Sequence, residues 1–391
     1  MHRRQFLQAT ALAELALAPA AEAAPVTSLD GTLQPYLARY GLPALAGAVV
    51  RHGTVIAAGT VGTRRVGTNT PVTLQDRFHI GSDTKAMTAL LAAMFIEQDK
   101  LRWDSTVGEQ FPELVASMNP DLRGVTLQQL LSHTSGMPSD NDVFWKLLLQ
   151  SYAQEGNLDD LRAWLVRQWS TQPLVARPGT TFAYSNMGFT MVGAMLERLG
   201  KQTWEEMVVE RIFTPFGLKT AGFGPQSSMG RVDAPLGHAV LKDGTLKPML
   251  AGPNGDNPLV IGPAGTVHLS ILDFAAWAGW NAGEGRRGPA LVRPETLRKL
   301  HTKVIDVVAP DAPPGTPAQG GYGLGWGVLK LPYARESFVM HTGSNTLNLA
   351  VIMLQPSQDF AMVLATNVGG TKADQALKAG VEELYNRFRP T

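Results

Sequence analysis

Apolar residues recur at helical spacing over residues 28–40, where Leu33, Tyr36, Leu37 and Tyr40 share one side. Two strand-like runs follow, Ala44–Arg51 and Thr54–Gly62, parted only by His52-Gly53. A two-residue gap containing glycine predicts a tight hairpin. From Ser82 to Gln98 the chain is rich in Ala, Met and Leu nearly all round, which predicts a long buried helix. Residues 126–133, 142–151, 158–169, 187–199 and 203–213 read as further helices with irregular joins. The pattern then turns β-rich at Gly323–Lys330, Glu336–His341, Leu347–Leu354 and Phe360–Thr366, with turns at Gly343-Ser344-Asn345 and Gln355-Pro356-Ser357-Gln358. A closing amphipathic helix covers 372–388, with Leu377, Val381, Leu384 and Phe388 on one face, and the Pro/Gly-rich segment 304–320 is a loop. Helix and strands at both ends with a helical block between them predict an α+β architecture whose layers close on each other.

Composition narrows the function. With 391 residues and 44% hydrophobic content the chain can bury a sizeable core, which excludes a disordered protein. Thirty-four basic against 33 acidic residues give a net charge of +1, so no field points to nucleic acid or an anionic membrane. There is no cysteine, which excludes disulfides, thiolate metal sites and a cysteine nucleophile. The eight histidines show neither HxH nor HExxH, so a His-based metal site has little support.

Residues 1–24 have the order of an export signal. Basic Arg3 and Arg4 precede an Ala/Leu-rich stretch, Ala9 to Ala18, and Ala-x-Ala options end at Ala20 or Ala23. Arg3-Arg4-x-Phe6-Leu7 resembles a twin-arginine address, Glu14 interrupts the apolar run, and the stretch is too short for a stable membrane span. The expectation is a periplasmic or secreted protein whose mature chain starts near Ala24 or Pro25.

Three short patterns carry chemistry. Gly81-Ser82-Asp83-Thr84-Lys85 opens the buried helix, and Ser82 and Lys85, three apart, lie on one face. A serine hydroxyl is a poor nucleophile until a base takes its proton; a lysine in apolar surroundings has a lowered pKa and can take it. The same residues would also suit a helix cap and a surface cation. In Tyr184-Ser185-Asn186, a phenol near a lysine can titrate low enough to pass a proton, and Asn186 offers both a donor and an acceptor. In His341-Thr342-Gly343, at the end of a strand, glycine lets a substrate backbone approach the strand edge. Each pattern alone is weak; the ordered set is informative. Ser139-Asp140-Asn141 offers a competing second motif, but with no Glu-x-x-Leu-Asn to accompany it the segment reads as a polar loop.

The ordered set resembles the penicillin-recognising serine hydrolases: class C β-lactamases, DD-carboxypeptidases and related esterases. Further stretches carry the resemblance: Leu130-Leu131-Ser132-His133-Thr134-Ser135-Gly136, Pro178-Gly179-Thr180, Ile212 to Leu218, Pro263-Ala264-Gly265 and Tyr322-Gly323-Leu324-Gly325-Trp326. It spans roughly residues 28–388 and implies a β-lactamase/transpeptidase-like fold, an antiparallel sheet flanked by helices with an inserted helical lobe. Residues 25–391 would form one domain, with a sheet lobe of about 25–80 and 320–391 and a helical lobe of about 82–300. It further implies that Ser82 forms an acyl-enzyme, Lys85 and Tyr184 share proton transfer, and Asn186 positions Lys85 and substrate. His341 and Thr342 would face the leaving group or a substrate carboxylate, with Gly343 and Ser344 completing the substrate-binding strand; the N–H groups of Ser82 and Ser344 would form the oxyanion hole, and no metal or cofactor is implied. Histidine replaces the lysine of class C β-lactamases in the third motif, which argues against efficient β-lactam turnover. The implied activity is hydrolysis of an amide or ester, on a small-molecule or peptide-like substrate chosen by the loops 137–146, 222–260 and 304–321. DD-carboxypeptidase-like and esterase activity rank equal and β-lactamase activity third; the alternative is a non-catalytic peptidoglycan- or peptide-binding protein of the same fold. Oligomeric state stays open. If His341 acts directly, activity should change between about pH 5 and 8.

Overall fold

The computed structural model describes residues 25–252, 254–308, 318 and 320–390. The expected export signal lies outside them, as does part of the 304–320 loop.

The main sheet has nine strands. In spatial order they are Thr27–Ser28, Thr54–Gly62, Ala44–Arg51, Phe360–Thr366, Leu349–Gln355, Phe338–Ser344, Gly327–Leu329, Gly320–Tyr322 and Ile305–Val307. Pairing is antiparallel except at one edge, where Thr27–Ser28 runs parallel to Ala57–Ala58. The sheet is therefore mixed, a small departure from the antiparallel expectation. The expected hairpin forms between Ala44–Arg51 and Thr54–Gly62, because His52 (φ 52°) and Gly53 (φ 73°) both take the left-handed conformation a two-residue turn of this hand needs.

Both faces of the sheet are covered, and alternation along each strand sorts side chains between them. Ala44, Ala46, Ala48, Ile352 and Val363 face the helical block, while Leu45, Val49, Val351, Met353 and Leu364 pack with Leu33, Leu377, Val381 and Leu384 of the two terminal helices, Asp30–Tyr40 and Thr371–Phe388. Small residues on the inner face let the Ile271–Ala282 helix lie close: a Cβ on Gly279 would sit 2.7 Å from a Val50 methyl. Burying one Leu- or Val-sized side chain contributes about 1.5–3 kcal/mol.

The helical block is built around Thr84–Glu97, in which every residue from Thr84 to Phe95 is buried. It begins with a 3₁₀ turn, Gly81–Asp83, rather than with α-helix from Ser82. Leu127–Leu131 is capped by a Thr126/Gln129 capping box, Asp142–Ser151 by Asn141, and Asn186–Gly200 by Ser185, so polar residues ahead of each apolar run set where it starts. Arg162, fully buried, ties helices together: its Nε donates to Glu197 (2.8 Å) and Nη1 to Glu205 (3.1 Å). The run read as one helix over 203–213 is α-helix at Trp204–Val208, a π segment at Val209–Phe213 and a last turn at Thr214–Phe216. Of the single strand read over Gly323–Lys330 only Gly327–Leu329 is strand, and it pairs antiparallel with Gly320–Tyr322, which lies just ahead of that run at the end of the expected 304–320 loop. Gly325 (φ +78°) lies in the connection between these two strands, where the chain crosses the central helix, and a Cβ there would lie 2.9 Å from the Lys85 carbonyl oxygen. Among the described residues no helix is long and apolar enough to cross a membrane.

Candidate active site

The site forms where the N-terminal end of the central helix meets the strand Phe338–Ser344. Two glycines permit the contact. A Cβ on Gly343 would lie 1.8 Å from the Ile80 carbonyl oxygen and 2.6 Å from the Ser82 nitrogen, and one on Gly81 (φ +51°) 2.3 Å from the Ser344 nitrogen. The amides of Ser82 and Ser344 are thus brought to the same place, at the positive end of the helix. Pairing with Gly327–Leu329 stops at Met340, so the strand beyond it keeps one edge without a strand neighbour. The strand runs on through Ser344 rather than turning at Gly343. The Ser344 hydroxyl is used locally, donating to Asn348 O (2.7 Å) and accepting from Thr346 N (2.9 Å).

Ser82 is partly exposed and Lys85 is fully buried one turn away. Lys85 Nζ lies 3.1 Å from Ser82 Oγ, 2.6 Å from Asn186 Oδ1 and 2.7 Å from Ala264 O. The last two atoms are acceptors only. A neutral amine has two N–H bonds and one lone pair, so with both hydrogens donated there the lone pair faces the serine hydroxyl. Burial pushes the Lys85 amine down to about 7, against the opposing pull of the Asp140 carboxylate. The geometry and the protonation state together suit a general base.

Asn186 joins this group as expected, and its Nδ2 donates to Asp140 Oδ2 (2.7 Å). The polar loop 139–141 therefore contributes two different things. Asn141 caps a helix, accepting from Phe144 N (3.0 Å), while Asp140 orients Asn186 and supplies charge near Lys85.

Tyr184 stands beside the pair, with Lys85 Nζ 4.8 Å from its ring centre. Burial pushes its phenol well above the ordinary value, although a hydrogen bond with Ser82 opposes this. The phenol is thus neutral at physiological pH, contrary to the expectation of a lowered value: the desolvation of a phenolate outweighs the hydrogen bond from Ser82. His133 (φ 56°) packs its ring 4.1 Å from that of Tyr184 and 4.8 Å from that of Tyr322, and its Nδ1 accepts from Ser185 N (3.1 Å). Burial holds it well below the usual histidine range, so it is a neutral packing partner of Tyr184.

His341 corrects a further expectation. It is buried, its Nδ1 donates to Thr342 O (3.0 Å), and its Nε2 accepts from the Tyr322 hydroxyl (3.0 Å). Burial pushes it down to about 3. It is a neutral strut between the strand and Tyr322, with buried Asp83 3.4 Å from Nδ1, and no cation for a substrate carboxylate. Thr342 is exposed and lines a groove with Met340, Leu349 and Leu377. Asp140, Ala264 O, His133 and Tyr322 were not singled out from sequence for roles, though three of them fall in stretches that carried the resemblance. Among the described residues no group of three or more His, Asp or Glu side chains could hold a metal ion.

A family model described as Beta-lactamase matches residues 29–386. Protein flp of Staphylococcus aureus (strain MW2) is 22% identical over 361 residues, covering 92% of this chain and 67% of its own length. A D-stereospecific amidohydrolase from Streptomyces sp. superposes with a TM-score of 0.70 at 20% identity, covering 92% of this chain and 98% of that one. A D-alanine carboxypeptidase from Burkholderia cenocepacia gives 0.69 at 21% identity, covering 91% and 96%. At these identities the two structures bear on the fold, which they share with this chain.

Proposed function

The chain belongs to the Beta-lactamase family, and from that membership and the Ser82 geometry we propose that it is a serine hydrolase working through an acyl-enzyme on an amide or ester. The observation that carries the reading is Lys85 Nζ at 3.1 Å from Ser82 Oγ, with its other two acceptors satisfied. Ser82 Oγ attacks the acyl carbonyl carbon while its proton passes to Lys85. The N–H groups of Ser82 and Ser344 stabilise the oxyanion, each such donor typically contributing about 10²–10³ in rate. The bond to the leaving group breaks as that group takes a proton from the Lys85–Tyr184 pair. Water then adds to the ester on Ser82, giving its proton back through the same pair, and releases the acid and free serine. Asp140 and Asn186 hold Lys85 in position.

Neutral His341 offers no fixed positive charge, so substrates without a carboxylate beside the scissile bond rank first. That favours esters and simple amides over β-lactams, with D-alanyl peptides between them. The amidohydrolase and carboxypeptidase likenesses are compatible with both leading substrate types. We further propose that residues 1–24 direct export and that the enzyme works in the periplasm or outside the cell. The test is p-nitrophenyl acetate hydrolysis by the parent and by Ser82→Ala. Hydrolysis lost in the variant is expected; saturable ligand binding with no Ser82-dependent turnover would support the non-catalytic alternative.

A further inference from the structure

The two amides given the oxyanion role, those of Ser82 and Ser344, lie on segments far apart in the chain. Each has a neighbour tied to one and the same oxygen. Gly81, just before Ser82, donates its N–H to His79 Nδ1 (3.0 Å). In a neutral ring whose Nδ1 accepts, the hydrogen sits on Nε2. That nitrogen lies 3.0 Å from Asp256 Oδ1. Asn345, just after Ser344, donates its Nδ2 to the same Oδ1 (2.7 Å), and Asn257 N donates to it as well (2.7 Å).

The connection is stiff at both ends. His79 and Asn345 are buried, and the Asp256 side chain is 3% exposed. The Asn345 amide cannot turn away, because its Oδ1 accepts from Leu347 N (3.2 Å) and Asn348 Nδ2 (3.0 Å). Asn348 is fixed in turn by Gln226 Nε2 (2.7 Å). Asn257 donates its Nδ2 to Gly265 O (2.9 Å), one residue after the Ala264 carbonyl that receives Lys85.

Asp256 belongs to the 222–260 loop, whose expected part was only to choose the substrate. Its other oxygen, Oδ2, is buried and has no partner among the described residues. Burying a carboxylate on those terms costs free energy that an apolar side chain would not. What the carboxylate supplies is a point shared by the turn Gly81–Asp83 and the strand Phe338–Ser344. Resting on the acyl-hydrolase reading above, we infer that Asp256 is a positioning residue of the oxyanion site, fixing the Ser82 and Ser344 amides relative to each other through His79 and Asn345. Both amides must reach one oxygen at about 2.7–3.1 Å, and a shift of about 1 Å in such a group can cost about 100-fold in rate.

The test uses the full chain and compares the parent with Asp256→Ala, Asp256→Asn and Asn345→Ala. The readouts are kcat and KM for p-nitrophenyl acetate, the inhibition constant of phenylboronic acid, and thermal melting. Phenylboronic acid adds to a serine oxygen as a tetrahedral anion, so it reports on the same donors as the transition state does. In Asp256→Ala and Asn345→Ala, kcat should fall at least tenfold and the boronate constant should rise at least tenfold, with KM held within about twofold. Asp256→Asn keeps an acceptor at Oδ1 and should stay within about threefold of the parent on every readout. Parental kcat and boronate binding in either folded alanine variant would overturn the positioning role. So would a fall in kcat with boronate binding unchanged, which is the mark of a merely structural residue. In both cases the acyl-hydrolase reading stands. No Ser82-dependent hydrolysis by the parent overturns that reading, and the positioning role with it.

Discussion

Lys85 sets the pH dependence of this site. The amine must be neutral to accept the Ser82 proton, and burial brings it down to about 7. Below that value the protonated form dominates and the lone pair facing Ser82 is lost. With a single titrating base, kcat/KM falls about tenfold per pH unit, reaching roughly one hundredth of its plateau at pH 5. His341 cannot produce this limb, because burial pushes it down to about 3 and its two ring nitrogens are already committed. The assay is kcat/KM for a neutral ester between pH 4.5 and 9, on the parent, His341→Gln and Asp140→Asn. The limb should stay in place in His341→Gln. It should move to lower pH in Asp140→Asn, since the carboxylate removed favours the charged lysine. A limb that disappears in His341→Gln, or a parent profile flat down to pH 5, would refute the assignment of Lys85 as base.

Three further outcomes follow from the packing. Gly343→Ala places a methyl 1.8 Å from the Ile80 carbonyl oxygen; the strand must retreat from Ser82, so ester turnover should fall by at least tenfold, against an overpacking cost to folding of only about 1–3 kcal/mol. Unaltered turnover would mean the strand–helix contact is not needed. His79→Gln loosens the Gly81 amide and so the placing of the next amide, that of Ser82; kcat should drop about tenfold or more, with KM within about twofold, because the Ser82 N–H acts as an oxyanion donor in the transition state; equal changes in both would indicate general damage. Arg162→Met leaves Glu197 and Glu205 without their shared partner, and urea titration should show a loss of about 3–5 kcal/mol. A loss under ~1 kcal/mol, typical of an exposed pair, would contradict the structural role given to this cluster.

Much of the fold was legible because its signals are local. The hairpin after residue 44 was announced by one glycine between two strand-like runs, and the central helix by an apolar sequence without an exposed face. Where tertiary contact decides, the sequence misled. The strand read from Gly323 starts only at Gly327 because the chain at Gly325 must pass the Lys85 carbonyl, and Ser344 belongs to a strand although its neighbours spell a turn. The helix Ile271–Ala282 left no periodic stripe to read, since all but three of its residues are buried between sheet and helical block. At the site, Ser82, Lys85, Tyr184 and Asn186 could be singled out because short spacings place them on helix starts. The neutrality of His341 and Tyr184 could not, as it comes from burial among residues distant in sequence. Nor could the pairing of Asp140 with Asn186, 46 residues away.

The central claim is that Ser82 is the nucleophile. Intact-protein mass after incubation with a fluorophosphonate tests it most directly, on the parent and on Ser82→Ala. One phosphonyl adduct on the parent, mapped to Ser82 and missing from the variant, is the result the account predicts. No adduct on the parent, or one that persists when Ser82 is gone, would contradict it.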